Sequence, residues 1–363
     1  MKKIFKPIGI IAIIAVIGFS MTACEEEDDP SPKSPTSQWT TVTQSVFGSD
    51  DNINEIAYGN GKFVACNYSK GGDNTKIATS TDGVTWTAAD VSNIFDIFDI
   101  RAIAYGNGKF VTGGCSYNES TYISTTKIAT STDGTTWTAI DVSGIFGGGS
   151  IRAIAYGNGK FVAGGWNGKM ATSTDGVTWT AVDVSSIFGT SGYIGKIAYG
   201  NGKFVACGNS HNESTAISTI KIATSTDGTT WTAVTQSVFV GSGYGHYISA
   251  IAYGNGKFVA CAYDDLSDNT KIATSMDGVI WTAVTQSSAL GSDDYISAIA
   301  YGNGKFVACG WNGKMATSTD GVTWTAVDVS GIFGGGSIRA IAYGNDKFVA
   351  GGYSGKMAYM LDN

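Results

Sequence analysis

Histidine is almost missing from this chain, with two copies in 363 residues, and arginine occurs at three positions only. With His211 and His246 as its sole imidazoles and no CxxC pair, the chain lacks the ligand spacing of a Cys/His metal centre. Three arginines (Arg101, Arg152 and Arg339) in a chain of net charge −7 give no basic patch for a phosphate backbone, which sets nucleic acid aside. Glutamate beyond the first 36 residues is limited to Glu55, Glu119 and Glu213, and no close carboxylate pair of the glycosidase kind stands out. Asp264, Asp265, Asp268, Asp293 and Asp294 are clustered oxygen donors, but they match neither EF-hand nor repeat-in-toxin spacing, so no metal or cofactor is expected. A sustained helical period is absent after residue 37.

What the chain has in abundance is repetition. Ala-Tyr-Gly places Tyr58, Tyr105, Tyr156, Tyr199, Tyr253, Tyr301 and Tyr343 in register, at steps of 47, 51, 43, 54, 48 and 42 residues. A strand-rich period of that length predicts propeller blades, each a four-stranded sheet. In the unit at 296–327, ISAIAYG (296–302) reads as strand A, KFVACG (305–310) as B, KMATS (314–318) as C and VTWTAV (322–327) as D. Asn303-Gly304 and Asp320-Gly321 supply the tight turns A–B and C–D. The last unit stops at Asn363 without its strand D, and SQWTTVTQSVFG (37–48) supplies one, with Trp39 matching Trp86, Trp137, Trp179, Trp231, Trp281 and Trp324. The expected fold is therefore all-β: a seven-bladed propeller of four-stranded antiparallel blades over 37–363, closed by the N-terminal strand around Trp39. The strand D tryptophans are expected in the core.

The paired motifs IAYGNGKFVA and STDGVTWTAV resemble the repeats of bacterial propellers related to the BNR, or Asp-box, group, which includes sialidases and many non-enzymes. Ser318, Asp320, Gly321, Thr323 and Trp324 follow the Asp-box order with one residue fewer between Asp and Gly. In that group the element stabilises a turn away from any catalytic centre, so the resemblance implies fold rather than activity. Sialidases of the group are six-bladed and use three arginines, a Tyr–Glu pair and an acidic proton donor. The three arginines here each follow the Ile that opens strand A, but Arg152 and Arg339 lie in near-identical copies of SGIFGGGSIRAIAYGN, which blade duplication explains. The chain is expected not to be an enzyme, with a glycoside hydrolase and a purely structural surface protein as alternatives.

Residues 1–23 read as an export signal: Lys2, Lys3 and Lys6 precede an apolar run at 8–19 that is twelve residues long, against roughly 20 for a membrane-spanning helix. Met21-Thr22-Ala23-Cys24 resembles a bacterial lipobox with Met in place of Leu, which implies lipidation at Cys24; the alternative is an ordinary secretory signal. Residues 24–36, rich in Glu, Asp, Pro and Ser, form a tether that cannot bury a core. Loss of the three signal lysines takes the same charge count to −10. The expectation is a protein exported and anchored to the cell envelope by its N-terminal lipid, at the outer membrane and exposed at the surface.

Five cysteines remain after Cys24. Cys66, Cys207, Cys261 and Cys309 share one repeat position late in strand B, where Gly113, Gly164 and Gly351 stand in other blades. A site that accepts Cys or Gly is a small packed position, and buried thiols are expected there.

Alternating strand direction puts the A–B and C–D turns on one face and the B–C and D–A connections on the other. The first face is nearly constant: Asn-Gly six times, with Asp346 replacing Gly in the seventh blade, and Asp-Gly in all six complete units. The second varies, from WNG (166–168) to SYNESTYISTT (116–126) and NSHNESTAISTI (209–220) in the B–C connections. A fixed scaffold with one diversified face is how loop-borne binding sites are built. Just after strand B stand Tyr68, Trp166, Tyr263, Trp311 and Tyr353, with Asn209 in the fourth blade and Tyr117 near the same place in the second. They are the candidate ligand-binding residues, suited to stacking on sugar rings or packing on a protein; the alternative is that they pin the loops to the next blade. An extracellular glycan or a protein is the expected partner.

Overall fold

The computed structural model describes residues 38–362 apart from 70–74, 92–93, 95–99, 119–120, 122, 216, 240–241, 244–246, 265–268, 286–288 and 290–294. The expected signal, Cys24 and the tether lie outside the described residues. Residues 37–363 cluster as one unit.

Seven sheets of antiparallel strands are ordered A-B-C-D from the axis outward. In the sixth blade these are Ile296–Gly302, Lys305–Gly310, Met315–Ser318 and Thr325–Ala326. Strand D is shorter than the sequence suggests, because Trp324 belongs to the turn that precedes it. The seventh blade takes Ile338–Gly344, Lys347–Gly352 and Met357–Leu361 from the C-terminus and Thr40–Thr41 from the N-terminus, with Thr40 opposite Tyr359. The fold is thus the expected seven-bladed propeller, closed by its N-terminal strand. Single helical turns at Ser143–Phe146, Ser185–Phe188 and Ser330–Phe333 punctuate three D–A connections. They are one turn long, too short to leave a period in the sequence, and each buries its Phe.

Seven apolar clusters fill the seven gaps between blades. One joins Val307 and Cys309 of the sixth blade to Ile338, Ile341 and Phe348 of the seventh, with Trp39 closing it. Phe63, Phe110, Phe161, Phe204, Phe258, Phe306 and Phe348 are all fully buried. Each is worth about 1.5–3 kcal/mol in transfer free energy. Each also packs against the Tyr of its own Ala-Tyr-Gly at 4.7–4.8 Å between ring centroids. That same Tyr lies over the Gly of the preceding blade, so closely that a Cβ on Gly157 would sit 2.0 Å from the Tyr199 ring. The signature Ala-Tyr-Gly is therefore an interblade joint: the ring of one blade needs the missing side chain of its neighbour.

The constant face is a second joint. Lys62 Nζ donates to the Asp133 carbonyl of the next blade, and Lys109, Lys160, Lys203 and Lys257 repeat the contact; Lys347 reaches Asp82 and closes the ring. The seventh blade has no Asp-Gly turn to offer the sixth. Asp362 stands in, accepting from Lys305 Nζ at 2.5 Å and, through its carbonyl, from Asn303. Within each C–D turn the aspartate Oδ1 caps two amides, as Asp320 does for Val322 and Thr323, while Trp86 Nε1 donates to the Gly83 carbonyl. The Thr323 and Val322 amides hold the Asp320 carboxyl at about 2, below its ordinary 3.8. Trp39, which no such turn precedes, is buried with its indole N–H unsatisfied among the described residues.

Cys66, Cys207, Cys261 and Cys309 are buried thiols, and burial pushes the last three well above their ordinary values. The equivalent Gly164 has no room for a Cβ, which would lie 2.5 Å from Ile194 of the next blade. The longest B–C insertions continue as strand rather than irregular loop. Lys109–Asn118 pairs with Ile123–Ser131, and Lys203–Asn212 with Ile217–Ser225, out to Asn118 opposite Ile123 and Asn212 opposite Ile217.

Candidate functional site at the mouth of the central channel

Every strand A carries a β-bulge at the same place, where it starts on the variable face. In the second blade Ile100 opposes Gly114 and Ala102 opposes Gly113, so Arg101 is the extra residue. The same shift recurs in the other six blades. A bulge leaves one residue out of the ladder and re-aims its side chain. Here the extra residues are Asn54, Arg101, Arg152 and Gly195 in the first four blades and Ser249, Ser297 and Arg339 in the last three. All seven line one cavity of about 530 Å³ at the mouth of the central channel. Such a volume lies within the usual range for small-ligand sites.

The mouth is two-sided. Arg339, Arg101 and Arg152 occupy the seventh, second and third blades, and Lys196 of the fourth joins them. The opposite arc is aromatic: Tyr193 and Tyr247 begin the A strands of the fourth and fifth blades, and Tyr295 directly precedes that of the sixth. Just below, Glu55 of the first blade meets Lys196 across the channel at 3.8 Å. Burial pushes the Glu55 carboxyl up from its ordinary value, against the pull of the Lys196 ammonium. Glu55 is the single carboxylate among the described residues lining mouth and channel, beside four cations. A chain of net charge −7 thus presents a cationic opening on its axis.

Stacking fixes several of these groups. The Arg152 guanidinium lies 4.2 Å from the Trp166 ring centroid and 4.9 Å from that of Tyr193. Trp166 and Tyr193 themselves meet at 5.6 Å. Arg339 lies 4.5 Å over Tyr353, donates to its hydroxyl at 2.7 Å and reaches Asn54 Oδ1 at 3.3 Å. Tyr295 packs on Trp311 at 4.7 Å and on Tyr247 at 5.9 Å. Burial raises the Tyr193 and Tyr295 phenols well above their ordinary values, so both remain neutral hydrogen-bonding groups at physiological pH.

The five aromatics singled out by sequence fare differently. Trp166 and Trp311 line the mouth and are 39% and 41% exposed. Their backbone amides donate to Ser150 and Tyr295, in tight B–C turns where Asn167 and Asn312 take positive φ, so the indoles are held at the base and open at the face. Tyr263 is buried, packed on Tyr295 and Trp311. Tyr353 is half-buried under Arg339. Tyr68 is partly buried opposite Asn52 and is not among the residues lining the mouth. The side chain of Tyr117, the acidic residues at 265, 268, 293 and 294, and the side chain of Asp264 lie outside the described residues. Among the described residues no group of three or more His, Cys, Asp or Glu is placed to hold a metal ion.

Sequence reasoning placed the arginines near the variable face but not in one cavity, and it missed Tyr193, Tyr247 and Tyr295. A signal existed: Tyr directly precedes the Ile that opens strand A in three consecutive blades and in no other.

A model of the DUF6242 beta propeller domain matches residues 92–216. No curated protein matches the chain. Among solved structures, virginiamycin B lyase from Staphylococcus aureus, an inactive variant with quinupristin, is 13% identical with a TM-score of 0.66, covering 89% of this chain and 99% of that one. PorZ, a surface component of the type-IX secretion system of Porphyromonas gingivalis, is 15% identical with a TM-score of 0.62, covering 86% of this chain and 47% of that one. YCF48 bound to D1 peptide is 17% identical with a TM-score of 0.61, covering 90% and 95%. At these identities the likeness is one of fold, and it places the chain among the β-propellers.

Proposed function

We propose that this protein is a non-catalytic binding protein of the cell envelope, anchored through a lipid on Cys24, that takes an extracellular glycan or protein at the mouth of its propeller. One observation carries the reading. On seven A strands that match one another toward the constant face, the bulge positions differ from blade to blade, and they converge on a single cavity with aromatic walls. A scaffold alone has no use for that difference. Of the neighbouring propellers, one was solved with a peptide, one with quinupristin, and one is a bacterial surface component, so the fold accommodates the reading. The one lining carboxylate among the described residues, Glu55, is tied to Lys196, an arrangement that speaks for binding over hydrolysis by a carboxylate pair.

The reading is tested in two steps. In cells, metabolic labelling with a fatty acid should mark the protein and fail in Cys24→Ser, and external protease should reach it. In vitro, the propeller should bind ligands on a glycan array or capture a surface protein, and Trp166→Ala/Trp311→Ala should abolish that binding while the fold stays intact. Binding unaffected by the double variant would move the site away from the mouth.

A further inference from the structure

We infer that the ligand of the mouth is a carboxylated glycan, a chain bearing uronic acid residues. This rests on the mouth being the binding site, and it adds the chemistry that the site selects. Three observations converge. The first is charge: among the described residues, Arg101, Arg152, Arg339 and Lys196 against Glu55 make the opening cationic in an acidic protein, which concentrates anions there. Guanidinium groups offer planar paired donors, and a carboxylate is the planar group that matches them.

The second is the geometry of the tryptophans. One face of Trp166 is backed by Arg152 at 4.2 Å, and Trp311 is backed by Tyr295 at 4.7 Å between centroids. Both indoles remain about two-fifths exposed, in the third and sixth blades, on opposite sides of the axis. Partly exposed indoles, backed on the protein side, are platforms for the C–H face of a pyranose ring. A sugar stacked on Trp166 lies beside the cation that supports it, and a sugar bearing a carboxylate uses both.

The third is what the mouth offers a protein. Hot spots of protein interfaces are side chains sunk in desolvated apolar pockets. Beside its aromatic and cationic groups this cavity is lined by Asn54, Asn209, Ser218, Ser249 and Ser297, with Ile248 as its one aliphatic side chain among the described residues. Short polar groups of that sort match hydroxyls around a sugar better than they match an apolar anchor. An acidic peptide would meet the charge and leave the platforms unused.

The experiment is a titration of the propeller, followed by tryptophan fluorescence and calorimetry, with four probes: polygalacturonate, the same polymer after carboxyl reduction, poly-glutamate and dextran sulfate. The expected result is binding to polygalacturonate at least tenfold tighter than to the other three, weakened by salt. Arg101→Gln should lower that affinity about tenfold with the melting temperature unchanged, and Trp311→Ala should remove the fluorescence change. Equal or tighter binding of the carboxyl-reduced polymer would overturn the inference while leaving the mouth as a glycan site. Preference for poly-glutamate would overturn it in favour of an acidic protein, and preference for dextran sulfate would show that charge density rather than carboxylate is read. Binding to none of the four overturns it outright, whereas the broader reading fails only if the Trp166→Ala/Trp311→Ala variant binds its array or protein ligand unchanged.

Discussion

The two ends of the same seven A strands are treated in opposite ways. At the constant face each strand runs into Tyr-Gly-Asn and, in every blade, the same lysine two residues on; the Tyr is held by the Gly of the preceding blade, and the Lys by the next aspartate, through its carbonyl in six blades and through the Asp362 carboxylate in the sixth blade. At the variable face the bulge releases one side chain per strand from the ladder, and that position reads Asn, Arg, Arg, Gly, Ser, Ser, Arg around the ring. Identity is kept at the end of the strand that joins blade to blade and given up at the bulge that opens into the mouth. The contrast separates the work of closing a propeller from the work of recognising something with it.

The sharpest way to break that contrast is to damage the interblade side. Phe306 is fully buried between the fifth and sixth blades, and Phe306→Ala should cost about 3–5 kcal/mol through lost burial and the cavity left behind. Denaturant unfolding would show it, and a loss below about 1 kcal/mol would mean that the blades are not held by these clusters. Gly157→Ala tests the joint itself. The new Cβ would lie 2.0 Å from the Tyr199 ring, so the ring must move, at about 1–3 kcal/mol. The same Gly→Ala change at Gly144, which has nothing within 4 Å, is the control and should do no harm. Lys160→Met keeps the apolar stem and removes one interblade hydrogen bond to the Asp227 carbonyl, for a loss of about 1 kcal/mol.

Acid should probe the same face more gently. The Asp320 carboxyl is held at about 2 in the folded chain against 3.8 ordinarily, so its contribution is complete above about 3.8 and is lost as pH falls toward 2. Asp320→Asn should therefore be less stable at neutral pH and flatter in its acid response, read as melting temperature between pH 5 and 2. A variant that keeps the full acid response would show that this turn carries none of it.

How much of this was written in the sequence follows the same divide. The blades, their number and the closure through Trp39 were legible because interblade contacts force repetition, and repetition is visible in a single chain. The packed site shared by Cys66 and Gly164 was legible for the same reason. The mouth was harder. A bulge leaves no mark on an alternation such as IRAIAYG, because the extra residue changes pairing and not composition, so Arg101, Arg152 and Arg339 read as near the face without converging. Tyr193, Tyr247 and Tyr295 precede strand A in three blades only, and a pattern shared by three of seven units looks like loop variation until the ring is closed. The five aromatics after strand B looked equivalent by register, yet Tyr263 is buried by Tyr295 and Trp311 and Tyr353 is covered by the bulge residue Arg339, because the residues around each position differ from blade to blade.

The smallest expected effect is the most telling. Arg101→Ser gives the second blade the residue that the fifth and sixth already carry at the bulge, as Ser249 and Ser297. If the bulge ring is free of the duties that fix the other face, stability should change by no more than about 0.5 kcal/mol, the usual range for a surface substitution. Nothing in the A–B pairing depends on the side chain, since Ile100 and Ala102 hold the register on either side of it. A loss as large as that of Lys160→Met would show that the arginine is a structural fastener and that the two faces differ less than their sequences suggest. An unchanged melting temperature, with binding to polygalacturonate weakened, would assign the cost of that arginine to the ligand alone.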